Sequence, residues 1–137
     1  MARTRRLPKY RRSANSESIF LWLFRKYKDS ARVKQHEFFL TVEEFRHLIK
    51  QNCYVCGAPP FNRFQVKTRC VGYIIYNGID RVDNSKGYVI SNCKPCCKHC
   101  NRMKSNRSLK ELTNHAKKIV AYQQPSKSGP IKTTVKS

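Results

Sequence analysis

At 137 residues and 39% hydrophobic content the chain can hold one domain with a small core plus tails. Lys and Arg number 29 against 8 acidic residues, a net charge of +21 that exceeds what solubility needs and points to a polyanionic partner, most simply nucleic acid. Seven cysteines, with Cys-x-x-Cys at Cys53/Cys56 and Cys97/Cys100, no secretory pattern and an apolar run at Ile19–Phe24 too short for a membrane span, speak against a secreted disulfide scaffold or a membrane protein. A reducing intracellular compartment is expected instead: phage or bacterial cytoplasm, or an organelle.

In chain order, residues 1–15 are rich in Arg and Lys and lack acid, so they read as a basic arm that is disordered until nucleic acid orders it. Ile19, Phe20, Leu23, Phe24, Tyr27 and Ala31 recur at helical spacing, which predicts an amphipathic helix over Ser16–Val33 capped by Ser16 or Ser18. A short extended stretch, His36–Leu40, follows. Thr41-Val42-Glu43-Glu44 is a capping box that starts a helix running to about Gln51 on Phe45, Leu48 and Ile49.

That helix delivers Cys53 and Cys56 into a knuckle, with Gly57 allowing the turn after it. Pro59 and Pro60 force a loop, and the basic stretch Phe61–Arg69 offers Arg63, Lys67 and Arg69 as phosphate contacts. Cys70–Tyr76 reads as a strand, Asn77-Gly78 as a tight hairpin turn, Ile79–Val82 as a second strand, Asp83–Gly87 as a loop and Tyr88–Ser91 as the returning strand. The cysteine cluster leads into a short helix beginning near Lys98. Ser108–Glu111 is a second capping box; its helix, on Leu112, Ala116, Ile119 and Val120, is expected to pack on the helix after Thr41. From Gln123 the chain reads as a basic flexible tail, so the organised domain is expected over residues 16–122, with its core at about 39–119.

The chemistry starts from the cysteines. Two Cys-x-x-Cys knuckles, Cys53/Cys56 and Cys97/Cys100, supply the four thiolates that structural zinc prefers, and no thioredoxin-like pattern surrounds either pair. A compact zinc ribbon leaves roughly 15–20 residues between its knuckles, whereas here the whole of Gly57–Cys96 lies between them. Cys70, Cys93 and Cys96 are left over, with small buried apolar roles as the default.

The insert carries Asp80 and Asn92, and Asn101 directly follows the last knuckle cysteine, with Lys104 three residues on. This order, an acidic residue ending a strand, a late Asn, then Cys-x-x-Cys-Asn-x-x-Lys, resembles the HNH endonucleases, over about Phe39–Ile119 and most specifically over Gly78–Lys104. The resemblance implies an α+β chain: a small zinc-bound ββα-metal core with flanking helices and basic tails. It implies Asp80 and Asn101 as ligands of one catalytic Mg²⁺ or Mn²⁺, which two oxygen donors with open water positions would suit, and Asn92 as the brace of the loop between them. Lys104 is expected to reach a phosphate near that cation.

One position departs from the family. Most members place a general-base His after the acidic ligand, and this chain has Arg81, whose pKa above about 12 prevents it from taking a proton. Arg81 then either clamps the scissile phosphate, with Asp83, Tyr88 or His99 as base, or marks a silenced site. The two functions implied are a metal-dependent DNA endonuclease and a catalytically inactive basic zinc protein that binds DNA or RNA, for instance within a ribonucleoprotein. DNA is the favoured partner. A single copy of the motif and no dimerisation heptad predict one cut per monomer.

Overall fold

The computed structural model describes residues 12–13, 15–66 and 70–124. Most of the basic arm, Lys67, Arg69 and the tail from residue 125 lie outside the described residues.

Helix α1 (Ser16–Val33) turns Ile19, Phe20, Leu23 and Ala31 inward. Its cap is Asn15, whose Oδ1 accepts from the Ser18 amide at 2.9 Å, so the expected serine caps give way to an equally good capping residue one position earlier. Helix α2 (Val42–Ile49) begins at the capping box: the Glu44 amide donates to Thr41 Oγ1 at 3.1 Å and the Thr41 amide to Glu44 Oε2 at 2.9 Å. Arg46 of α2 grips both Glu17 carboxylate oxygens at 2.9 and 2.7 Å while its guanidinium lies 4.0 Å over the Phe20 ring. The two helices close over Phe45, which is fully buried among the rings of Phe20, Phe24 and Tyr27 at centroid distances of 5.8, 5.3 and 5.1 Å. Ile79 and Cys93 join this core from the sheet side.

The strands form three small two-stranded sheets. Strand β1 (Arg12–Ser13) pairs parallel with β3 (Cys70–Val71), and β2 (Asn62–Phe64) pairs antiparallel with β4 (Ile74–Tyr76). The pair that positions the site is β5 (Gly78–Arg81) with β6 (Cys93–Cys96), antiparallel, with Gly78 opposite Cys96 and Arg81 opposite Cys93. A 3-10 turn (Ile90–Asn92) leads into β6, helix α3 (Lys98–Lys104) follows it, and α4 (Leu109–Gln123) starts at the Ser108–Glu111 capping box.

Several local expectations change. The returning strand is Cys93–Cys96 rather than Tyr88–Ser91, because the small residues Cys93, Pro95 and Cys96 are the ones that bury against β5. Tyr88 instead makes an isolated parallel bridge to Phe38 and packs its ring at a tilt against it, 5.4 Å between centroids. Asn77-Gly78 makes no hairpin, since β4 and β5 pair with different strands. Asn77 is wholly buried and its Nδ2 donates to the Gln51 and Ala58 carbonyls at 2.9 and 3.2 Å, tying the sheet to the end of α2. Cys70–Tyr76 is broken at Gly72, whose φ of 142° interrupts the strand. Part of the Phe61–Arg69 loop is strand β2, and Arg12–Ser13 of the arm is paired rather than free. Helix α4 packs chiefly on α3, not on α2, and leaves Ile119 and Val120 about half exposed.

Gly87 sets the closest backbone approach. A Cβ there would lie 2.5 Å from the Glu37 carbonyl oxygen, because the Tyr88 amide donates to that carbonyl at 2.7 Å and the Phe39 amide donates back to Tyr88 at 2.9 Å. Gly87→Ala is therefore expected to cost about 1–3 kcal/mol, as overpacking does, read from urea denaturation; an unchanged midpoint would contradict this contact.

Candidate functional site

The two knuckles meet where the end of α2 faces the β6–α3 junction. Cys53 and Cys56 sit in a turn closed by the Gly57 amide on the Cys53 carbonyl and the Cys53 amide on the Ala58 carbonyl, both 2.8 Å, with Gly57 at φ +76°. The Tyr54 amide docks this turn on β6 by donating to the Pro95 carbonyl at 2.8 Å. Cys97 is the N-cap of α3, and its Sγ accepts from the Cys100 amide at 3.4 Å.

The four Sγ atoms of Cys53, Cys56, Cys97 and Cys100 lie within 4.8 Å of one another, and Cys56 and Cys97 are 3.8 Å apart. Tetrahedral coordination at a Zn–S distance of about 2.3 Å has an edge of about 3.8 Å, so the donor set fits such an ion. Its electrostatics agree. Burial opposes ionisation of Cys53, but the backbone amides of Cys56, Cys97 and Val55 outweigh it and bring the thiol down to about 6; burial and the neighbouring sulfurs push Cys100 up instead. Four thiolates this close need a cation to ionise together, and the four cysteines could hold a metal ion such as zinc. Cys96, adjacent in sequence, is buried with its thiol pushed up by burial and belongs to the apolar packing of the centre.

Asp80 lies one residue from the end of β5 and is only 5% exposed. Its Oδ2 accepts from the Tyr54 hydroxyl at 2.6 Å and faces Lys104 Nζ at 3.1 Å, while Oδ1 is 3.4 Å from the same ammonium. Burial, then the Asp80 carboxylate, raises the Tyr54 phenol, which stays a protonated donor. Lys104 itself is 0% exposed. The expectation that Lys104 reaches a phosphate is corrected here, because a buried carboxylate beneath α3 has drawn the ammonium inward.

Arg81 points to the other side. Its Nη1 donates to the Asn84 and Lys86 carbonyls at 3.1 and 2.8 Å and lies 3.5 Å from His36 Nδ1, with the guanidinium 5.5 Å from the Tyr88 ring centre. Asn92, 5% exposed, ties the loop between β5 and the 3-10 turn: the Asp83 amide donates to its Oδ1 at 2.8 Å, and its Nδ2 donates to the Asp83 and Gly87 carbonyls, both 3.0 Å. Asn101 is exposed on α3, and no hydrogen bond among the described residues uses its side chain. Arg63 is exposed on β2, with its guanidinium 4.0 Å over the Tyr73 ring. Lys67 and Arg69 lie outside the described residues.

Two residues here carry little sequence signal: Tyr54, between the knuckle cysteines, has none beyond being aromatic, and His36 belongs to no motif.

No protein-family model matches the chain. Over 115 residues it is 31% identical to an uncharacterized protein of Acanthamoeba polyphaga mimivirus, a match covering 76% of this chain and 20% of that protein, so the chain spans about a fifth of its relative's length. Among solved structures it is similar to the rare-cutting HNH restriction endonuclease PacI, at a TM-score of 0.54 and 20% identity over 84% of this chain and 92% of that one. The chain has an HNH-type nuclease fold.

Within this HNH fold, β5, β6 and α3 make the ββα unit, and the four cysteines lie where its end meets the turn after α2. The three bases considered from the sequence sit in unequal surroundings. Asp83 accepts from the Ser85 hydroxyl and amide at 2.6 and 2.9 Å, and the hydroxyl bond, then the amide, holds its carboxyl below the usual range, which weakens it as a base. Burial raises Tyr88. His99 stacks on Phe61 at 5.5 Å. No helix among the described residues is long and apolar enough to cross a membrane.

Proposed function

We propose that the chain is a metal-dependent DNA endonuclease that hydrolyses phosphodiester bonds, with structural zinc on Cys53, Cys56, Cys97 and Cys100 and a catalytic Mg²⁺ or Mn²⁺ taken by Asp80 and Asn101. The observation that carries this reading is the buried Asp80 carboxylate on β5, next to the cysteine-stapled helix that bears Asn101, within an HNH-type fold. DNA is the preferred substrate on the likeness to a DNA-cutting enzyme and on the +21 charge.

The side chains divide the work. Lys104 and Tyr54 hold Asp80 in one orientation, the ammonium at 3.1 Å and the hydroxyl at 2.6 Å both meeting Oδ2. Asn92 fixes the loop that carries the two carbonyls to which Arg81 is tied, so the guanidinium is preset to meet a phosphate. When bound, a hard divalent cation would supply charge stabilisation to the phosphorane and the departing 3′ oxygen. Arg63 offers a phosphate contact outside this centre.

A second reading, a basic zinc protein that binds nucleic acid without cutting it, is favoured by Lys104, whose ammonium already sits against Asp80, and by Arg81 where most of the family has His. End-labelled duplex DNA incubated with the protein in Mg²⁺ or Mn²⁺ separates the two. Products with 5′-phosphate and 3′-hydroxyl ends support the nuclease; a shifted but uncut duplex in both metals supports the binder.

A further inference from the structure

The β2–β4 pair has two unlike faces. Phe64, Ile74 and Tyr76 pack inward against the core between α1 and α2, while Arg63 and Ile75, directly opposite each other in the register, are exposed on the outer face. Gln65 and Tyr73, one residue beyond each strand, are exposed too. They join the outer face through Arg63, whose guanidinium lies 4.0 Å over the Tyr73 ring and whose Nη2 donates to Gln65 Oε1 at 3.4 Å. Tyr73 and Ile75 stay about half exposed.

This face has the chemistry of a base reader. Arg and Gln are the side chains whose paired polar atoms match the major-groove edges of guanine and adenine, and an aliphatic side chain matches the thymine methyl. A guanidinium held flat on an aromatic ring also has less conformational freedom to lose on binding. Among the described residues no carboxylate pairs with Arg63, and residues 45–79 contain no Asp or Glu, so nothing on this stretch repels a polyanion. The described end of the basic arm reaches the same place: Arg12 and Ser13 pair with Cys70 and Val71, just ahead of β4.

We propose that the β2–β4 ribbon lies in the major groove of duplex DNA and reads sequence there, with Arg63 on a guanine and Gln65 on a nearby adenine. This rests on DNA being the partner, as in the reading above, and gives Arg63 a base edge in place of a phosphate. Two strands about 4.8 Å apart enter a groove about 12 Å wide, whereas the minor groove, about 6 Å wide, is too narrow for them. The ribbon is also fixed to the proposed cleavage centre. Only Asn77 separates β4 from β5, and its buried side chain is tied to the Gln51 and Ala58 carbonyls. Asp80 is five residues beyond Ile75, at most about 18 Å of extended chain, so the bases read lie within one helical turn of the cut bond, about 10 base pairs.

The test is selection of bound duplexes from a randomised pool, without Mg²⁺ or Mn²⁺, by wild type, Arg63→Ala, Arg63→Lys and Gln65→Ala. Wild type should enrich a short motif with a G·C pair whose preference disappears in both Arg63 variants, because lysine keeps the charge but not the paired donors. Gln65→Ala should lose an A·T preference in the same motif. Arg63→Lys should bind the selected duplex about tenfold or more weaker and unselected DNA within about twofold of wild type. Placing 7-deazaguanine, which lacks the major-groove N7, at the preferred G should weaken wild type and not Arg63→Ala. Wild-type preference in Arg63→Lys, or an equal loss on every duplex with a shallower salt dependence in Arg63→Ala, makes Arg63 a phosphate contact and overturns the reader. A wild type that binds duplex without preference overturns it as well. So does selection unchanged in all three variants, which assigns the face to a second copy if their sedimentation shifts. Cutting is read separately in Mg²⁺ and Mn²⁺: a selected but uncut duplex sinks the nuclease and leaves the reader standing, and a wild type that binds no duplex sinks both.

Discussion

Lys104→Met is expected to lower the stability of the domain by about 3–5 kcal/mol, because it strands a buried carboxylate without its counter-ion. Asp80 keeps only the Tyr54 hydroxyl in that variant, and neither it nor the methionine can reach water where an ammonium with no exposed surface once sat. Adding Asp80→Asn should recover most of the loss, since replacing both members of a buried pair is often neutral where removing one is not. Urea denaturation of the two single variants and the double variant forms the cycle. Two small single-variant losses that simply add in the double variant would show that the pair is not coupled in the folded protein.

Removing the metal proposed for the cysteine centre should have the larger effect. Zinc binding by small structural sites contributes about 10–16 kcal/mol of apparent free energy near neutral pH, more than the whole stability of a typical domain. Here the centre joins the turn after α2 to the β6–α3 junction, and its packing partners are few: Tyr54, Val55 and Ala58 around Cys53, Cys96, Cys97 and Cys100. A strong chelator, or Cys97→Ser, is expected to melt the ββα unit and α4 behind it while the Phe45 cluster between α1 and α2 loses its sheet-side cover. Circular dichroism with and without chelator reads this, and one equivalent of Zn²⁺ should restore the signal. An unchanged melting curve after complete removal of the metal would mean that the four thiols are a packed cluster and not a staple.

Which parts of this architecture were legible depended on whether the information was local. Both capping boxes, Thr41–Glu44 and Ser108–Glu111, are complete within four residues, and both helices start where those residues say. The α1 stripe needed only helical period, and the four ligand cysteines needed only spacing and the chemistry of sulfur. Asn77-Gly78 misled because a turn-forming dipeptide says nothing of which strands pair; Asn77 is instead spent on carbonyls of two distant segments. Cys93–Cys96 hides a strand because a short run of cysteine, lysine and proline carries none of the β-branched or aromatic signal that marks one. Lys104 suggests a phosphate contact in the sequence, and only the placement of Asp80 beneath α3 shows why it turns inward. The approach of His36 to Arg81 is set by the fold in the same way, across 45 positions of sequence.

Asn101 gives the most direct test of the central claim. Its side chain is exposed and bonds nothing among the described residues, so Asn101→Ala should leave folding untouched, unlike any change at Asp80. Nicking of supercoiled plasmid in Mg²⁺ and Mn²⁺ is therefore to be compared between wild type and Asn101→Ala at matched thermal stability. The account predicts metal-dependent nicking by wild type that falls by about 10²-fold or more in Asn101→Ala, on the scale seen when one transition-state electrostatic contact is removed. Equal nicking by the two proteins would contradict the shared cation site, and no nicking by wild type would leave a nucleic-acid-binding protein on an HNH-type fold.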